Sequence, residues 1–424
     1  MASSVVRMTY LIETGGEVAA LAEKIASDQS TGTFVPTPGE TPELKARVGA
    51  RVVAIRPLAP VKIASFPQSG PGADGLFHRG EADIEFPIEA VGVDLAALTT
   101  IAIGGVWSIK GFSGVRIIDM KLPPEFGAAH PGPQFGIEGS RALTGVRGRP
   151  IIGSIVKPAL GLRPLETAAM VRELAEADVD FVKDDEKLMS PAYSSLEDRV
   201  KAIMPILLER EQGTGKKVMY AFGISHADPD VMMRNHDIVV EAGGNAAVIN
   251  INSIGYGGFA FLRKRSRLVL HAHRNGWDIL TRHPGLGLDF RVYQQFWRLL
   301  GVDQFQINGI GAKYWEPDDS FVRSFHALSQ PLFSPADRPL PVAGSGQWGG
   351  QAPETYRRTG GTLDLLYLCG GGVVSHPGGP AAGVRAVRQA WEAAVAGVSL
   401  EIYAREHREL AEAIAKFGGA DNSA

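Results

Sequence analysis

Two rhythms of apolar and polar positions divide the chain. Up to about residue 145 the order is strand, helix, strand, strand, helix, strand. Val5 to Ile12 alternates in a β-branched run, and Glu17 to Ser27 is Ala-rich with helical spacing. Val52 to Ala64, broken by prolines, and Ala82 to Ala90 alternate again; Asp94 to Ile103 is helical and Gly114 to Leu122 returns to a strand. Side chains alternate across a strand and recur every three or four residues on a helix, which is what separates the two readings. This order predicts a ferredoxin-like α+β domain over 1–145, ending in a Pro- and Gly-rich connection from Pro123 to Gly148.

Beyond Pro150 the pattern becomes strand, polar or glycine-rich loop, helix. Apolar runs fall at Ile151–Val156, Asp180–Val182, Val218–Phe222, Ala247–Ile251, Leu268–Ala272, Gln304–Ile307, Leu340–Ala343 and Leu365–Cys369. Helical periodicity follows most of them, as in Leu165–Ala177 and Phe290–Leu300. Eight such units in series predict a closed (β/α)8 TIM barrel over 146–424, with Ala382–Ala396 as its last helix and Leu400–Phe417 as an amphipathic extension.

Composition narrows the partners. Lys and Arg (43) nearly balance Asp and Glu (46), a net charge of −3, so neither nucleic acid nor an acidic membrane surface is expected as a partner. Cys369 is the single cysteine and sits beside the apolar run Leu365–Leu368, which predicts a packed core thiol. The first residues lack the apolar core of a signal peptide and no apolar run is long enough to span a bilayer, so a cytoplasmic protein is expected.

A barrel of this kind carries its chemistry where the strands end. Strand one ends at Lys157-Pro158-Ala159, strand two at Lys183-Asp184-Asp185-Glu186 and strand five at His273-Arg274. Strand six ends at Gln306 with Lys313 in the following loop, strand seven at Ser345-Gly346, and strand eight at Gly370-Gly371-Gly372. Lys183 and Asp185 face one side of an extended strand, and a turn brings Glu186 round to join them. Two carboxylates suit a hard cation. A lysine beside them repels the metal unless CO2 converts its amine to an anionic carbamate. The other reading is a solvated charge run. Lys157 reads as a base of depressed pKa or as a surface lysine. His273 and Arg274 read as an acid–base histidine and a phosphate-binding arginine, or as structural residues. Glycine-rich loops after strands seven and eight are suited to a phosphate, because backbone N–H groups can approach an anion there.

Taken together, these residues resemble the RuBisCO large-chain superfamily, over about residues 7–398. Ser30-Thr31-Gly32-Thr33-Phe34 is similar to its S-T-G-T-W segment, Gly153–Pro158 to its first-strand motif, and Asp180–Glu186 to D-F-x-K-D-D-E. His271–Arg274 is similar to H-x-H-R, and Gly344–Gly346 and Gly370–Gly372 to the phosphate loops. The resemblance implies Mg2+ held by carbamylated Lys183, Asp185 and Glu186, with Lys157 as the base and His273 facing the substrate. It implies phosphate or substrate binding by Arg274, Gln306, Ser345, Gly346, Gly370 and Gly371. It also implies a homodimer, or a multiple of dimers, in which Thr33 and Phe34 complete the partner's site.

The departures exclude ribulose bisphosphate carboxylation as the expected activity. Ala159 replaces the second lysine of K-P-K, Gln306 the sixth-strand histidine, Gly105 the metal-side asparagine, Asp28 the entrance glutamate and Phe34 the tryptophan. The chain therefore resembles the RuBisCO-like proteins. Lys313 keeps the mobile-loop lysine, which serves a substrate bearing a carboxylate. Decarboxylation of a β-keto sugar-acid phosphate, 3-oxo-isoapionate 4-phosphate, is the expected reaction, with Lys157 or His273 returning the proton. Transcarboxylation with hydrolysis of the same substrate, a methionine-salvage enolase or isomerase, and a non-catalytic binding protein are the alternatives.

Overall fold

The computed structural model describes residues 4–67 and 69–419. Among these, the strands in chain order are β1 (Val5–Thr14), β2 (Arg51–Val61), β3 (Phe77–Pro87), β4 (Phe112–Lys121), β5 (Ile151–Ile155), β6 (Phe181–Lys183), β7 (Met219–Gly223), β8 (Ala246–Asn250), β9 (Val269–His273), β10 (Leu286–Leu288), β11 (Gln304–Gln306), β12 (Leu340–Ala343) and β13 (Leu366–Cys369). Contacts divide the chain into two compact units, Met1–Pro131 with Gly276–Leu299, and Gly132–Asn275 with Leu300–Ala424.

The first unit is a five-stranded sheet in the order β10-β4-β1-β3-β2. Helices Val18–Asp28 and Leu95–Ile103 follow β1 and β3, so the predicted succession of strands and helices is present. β1 runs antiparallel to β3 and β4, as a split βαβ arrangement requires. Pro57 and Pro60 fall in β2, at the sheet edge, where a missing N–H costs no ladder bond. Three differences from the sequence reading concern this unit. Its contacts end at Pro131 and not at 145. It takes in Gly276–Leu299, whose β10 pairs in parallel with β4 and makes the sheet mixed. The helix Phe290–Leu299 thus packs in this unit and is buried along nearly its whole length, with Gln295 donating to the Met120 carbonyl at 2.9 Å. Its amphipathic pattern gave no hint of that, because the polar face is satisfied internally.

The second unit is a closed parallel barrel in the order β5-β6-β7-β8-β9-β11-β12-β13, closed by β13 on β5. Alternation along each strand fills the interior with Ile151 and Ile155, Phe181, Met219 and Ala221, Ala246 and Val248, Val269, Leu340 and Val342, and Leu366 and Leu368. The supposed connection at 123–148 holds two helices, Pro124–Ala129 and Gly136–Thr144. The second ends on left-handed Gly145 and contributes Ile137 to the barrel core. The extension expected over 400–417 breaks into Leu400–Tyr403 and Arg408–Phe417. Cys369 is buried and free, as expected of a core thiol. No helix of the described residues is long and apolar enough to cross a membrane.

Candidate active site

The inward face that carries Phe181 in β6 carries Lys183 one step further on, so the lysine enters the barrel interior and is completely buried. Its Nζ donates to the Asp184 carbonyl at 3.0 Å and to Glu186 Oε2 at 3.3 Å. Burial lowers the Lys183 pKa against the opposing pull of Glu186 and Asp185. Asp185 is buried and paired with the Lys157 ammonium from the end of β5. Burial alone would raise Glu186; the Lys183 cation and then His273 outweigh it and hold the carboxyl down to about 2.

Asp184 has a different task from its neighbours. Its carboxylate accepts from the Tyr220 hydroxyl at 2.7 Å, the Gly223 amide at 2.9 Å and the Arg199 guanidinium at 3.2 Å, all inside the unit. Asn250, at the end of β8, donates to the Glu186 carbonyl at 2.8 Å. These contacts fix the backbone on both sides of Asp185. Nothing in a K-D-D-E run tells the anchoring aspartate from the one paired with Lys157, and Arg199, Tyr220 and Asn250 are too distant in sequence to be read with it.

His273 ends β9, with Nε2 3.5 Å from Glu186 Oε2. The Asn275 amide donates to its Nδ1 at 3.3 Å, so a neutral ring carries its proton on Nε2. Burial first, and the Lys183 cation second, lower its pKa to about 4.

One cavity of about 310 Å³ gathers Lys157, Glu186, His273, Gln306, Lys313, Ser345, Gly346 and Gly370–Gly372. The loops after β12 and β13 have the backbone freedom that an anion cradle needs. Ser345 (φ 69°) and Gly346 (φ 85°) are left-handed. A Cβ at Gly372 would stand 2.3 Å from the Gln347 carbonyl, so only glycine fits. The Lys313 amide donates to the Ser345 carbonyl at 3.2 Å, which ties loop six to the strand-seven loop. Ile155, Lys187, Tyr314, Trp348 and Phe417 also line the cavity and were not foreseen. Trp348 and Phe417 pack with ring centroids 5.6 Å apart. Trp348 directly follows the Gly344–Gln347 loop and was legible there; Phe417 was not, because nothing local directs the last helix back to the barrel.

Not every expected residue joins the cavity: Lys183 and Asp185 are buried and do not themselves line it, though they pair with Glu186 and Lys157, which do. Arg274, expected at the phosphate, does not line it; its guanidinium is bound to Glu316 at 2.6 Å and both side chains are nearly buried. Thr33 and Phe34 belong to the other unit and are exposed, Phe34 at 96%. At Gly105 a Cβ would lie 2.8 Å from Gln29 Nε2, so Gln29 occupies the space an asparagine side chain would need.

Among the described residues no three His, Cys, Asp or Glu side chains are grouped to hold a metal. Asp185 and Glu186 supply two oxygen donors, each now balanced by a lysine ammonium. Asn250 Oδ1, beside Glu186, is buried without a hydrogen-bond partner. The donor set therefore fits a hard divalent cation once Lys183 contributes an oxygen, and burial favours the neutral amine that reacts with CO2.

Residues 136–417 match the ribulose bisphosphate carboxylase large chain, catalytic domain, and residues 3–126 match its N-terminal domain. The chain belongs to the RuBisCO large-chain family. It is 74% identical over 412 residues to a 3-oxo-isoapionate-4-phosphate decarboxylase of Rhizobium etli, covering 97% of this chain and 98% of the other. It is 44% identical to a 3-oxo-isoapionate-4-phosphate transcarboxylase/hydrolase of Xanthobacter autotrophicus, covering 96% and 97%. A rubisco-like protein from Burkholderia fungorum superposes with TM-score 0.90 at 38% identity, over 98% of this chain and 100% of that one. A dimeric archaeal RuBisCO from Hyperthermus butylicus superposes with TM-score 0.84 at 27% identity, over 98% and 96%.

Proposed function

We propose that the protein decarboxylates 3-oxo-isoapionate 4-phosphate and is not a ribulose bisphosphate carboxylase. The observation that carries this reading is that Lys313, the Lys183–Glu186 cluster and the glycine loops line or border one cavity. The Rhizobium relative supports the substrate. Carbamylated Lys183, Asp185 and Glu186 would hold Mg2+. Bound there, the ion would draw electron density from the keto oxygen as CO2 leaves.

The chain's own residues divide the remaining work. Ser345, Gly346, Gly370 and Gly371 bind the phosphate and fix the sugar's direction. Lys313 faces the substrate carboxylate and orients it for loss. Lys157 is the proton donor to the carbon left behind. His273 is the poorer candidate, since its one proton points at Glu186 and the ring is neutral. Thr33 and Phe34 of each subunit complete the site of a partner in a homodimer, a role supported by the exposure of Phe34.

Carboxyl-labelled substrate incubated with the enzyme, Mg2+ and bicarbonate tests the reading. Labelled CO2 and a ketose phosphate one carbon shorter are expected. Label retained in a hydrolysis product would replace this reading with transcarboxylation. Turnover of a methylthio-ketose phosphate alone would replace it with a methionine-salvage activity. No Mg2+ binding, with or without bicarbonate, would favour a non-catalytic protein.

A further inference from the structure

Beneath the charged end of the cavity lies an uncharged polar chain of Ser140, Gln304, His271 and Gln306, all buried. Gln304 Nε2 is 3.0 Å from Ser140 Oγ and 3.2 Å from Met219 Sδ. A thioether sulfur accepts and never donates, so the amide end facing Met219 must be the nitrogen. Gln304 therefore turns its oxygen to His271, where Oε1 is 3.0 Å from Nδ1, and that nitrogen carries a proton. The His271 ring stacks on Phe181 at 5.2 Å and no carboxylate pairs with it among the described residues. Burial, and then the Lys183 cation, lower its pKa to about 3, so the ring is neutral and Nε2 is a bare acceptor.

Gln306 stands 3.4 Å from that Nε2. With its carbonyl oxygen toward the ring, two acceptors would oppose each other. The two ends of a primary amide have the same shape and are assigned by their partners. The consistent arrangement donates Gln306 N–H to His271 and leaves the carbonyl oxygen on the cavity side. Gly344 keeps that side open, since a Cβ there would lie 3.3 Å from the amide's outer atom. Arg274, the cation expected nearby from the sequence, is held by Glu316.

We propose that Gln306 determines specificity at the strand-six end of the cavity: its carbonyl oxygen accepts a hydrogen bond from an uncharged substrate hydroxyl and disfavours a second phosphate. The proposal rests on the cavity being a sugar-phosphate site. It names the substrate class as monophosphates whose other end is a hydroxyl group. A phosphate dianion has no proton to offer this oxygen, and Arg274 is already paired with Glu316.

Ribulose 5-phosphate and ribulose 1,5-bisphosphate differ only in a hydroxyl or a phosphate at one end, and their binding to the full-length protein with Mg2+ and bicarbonate can be compared by calorimetry. The monophosphate is expected to bind about tenfold more tightly, the equivalent of one hydrogen bond. Gln306→Leu should remove that advantage while inorganic phosphate binds unchanged, and Gln306→His should shift preference toward the bisphosphate. Equal or tighter binding of the bisphosphate by the unaltered protein would overturn the proposal. So would Gln306→Leu weakening inorganic phosphate to the same extent. Nitrogen-15 spectra of histidine-labelled protein give an independent readout: a His271 protonated on Nδ1 alone is expected, and a proton on Nε2 contradicts the assignment. These measurements do not use turnover, so absence of decarboxylation would sink the proposed reaction and leave the Gln306 result to stand or fall separately.

Discussion

The residues that back two sides of one cavity are built on opposite electrostatic plans. At the ends of β5 and β6, Lys157, Lys183, Asp185 and Glu186 pair cations with carboxylates. At the end of β11, Gln306 leads down through His271 and Gln304 to Ser140 without a formal charge. The first side suits a metal ion and the transfer of charge. The second suits recognition of a neutral group, because a buried amide offers direction without the solvation cost of an ion. The difference teaches that loss of a cation in a family site can be a choice of substrate and need not be decay of the site.

The largest expected effect falls on the charged side. Lys183→Ala or Asp185→Asn should lower kcat by about a thousandfold or more, as loss of a main source of transition-state stabilisation does. A steady-state assay at saturating Mg2+ and bicarbonate checks this, and a Lys183→Ala enzyme with full activity would end the carbamate assignment.

Asp184→Ala should act first on stability. It leaves the buried Arg199 guanidinium without its carboxylate, a loss of about 3–5 kcal/mol in comparable buried pairs. Urea unfolding monitored by tryptophan fluorescence measures it. Equal stability would mean that the Asp184 network is not the anchor of Asp185.

Lys313→Ala should lower kcat/KM for the carboxylate substrate by about a hundredfold, within the range for loss of a group that stabilises developing charge. The same change should leave inorganic phosphate binding intact, which separates this lysine from the glycine loops. The smallest effect concerns assembly. Phe34→Ala should lower activity, and mixing its chains with inactive Lys183→Ala chains should give about a quarter of the unaltered protein's activity, since half of random dimers carry one intact site out of two. No recovery would argue that Phe34 does not serve a neighbouring chain.

Much of this was legible along the chain. The alternation through Phe181 and Lys183 and the glycines after strands seven and eight are local patterns; the structure buries Lys183 beside Glu186 and brings Glu186 and those glycines to one cavity. Gly276–Leu299 was misread because helical spacing says which face is apolar, not which body that face joins. The Arg274 pairing was not legible because a guanidinium at a strand end does not name its partner, and Glu316 comes from a separate loop. The two helices within 123–148 were missed because the proline and glycine that punctuate them also mark loops.

The sequence by itself determined the barrel, the lysine–carboxylate run and the loss of three cationic or polar family positions, because strand periodicity and residue chemistry are properties of short stretches. Tertiary structure alone decided which aspartate is held by Arg199 and which by Lys157, which arginine is already engaged, and which end of the Gln306 amide is turned inward. Each of those depends on a partner from a different strand: Arg199 for Asp184, Glu316 for Arg274, and Met219, through Gln304 and His271, for Gln306. Hydrogen bonds and ion pairs are decided by proximity in space, and folding alone creates that proximity.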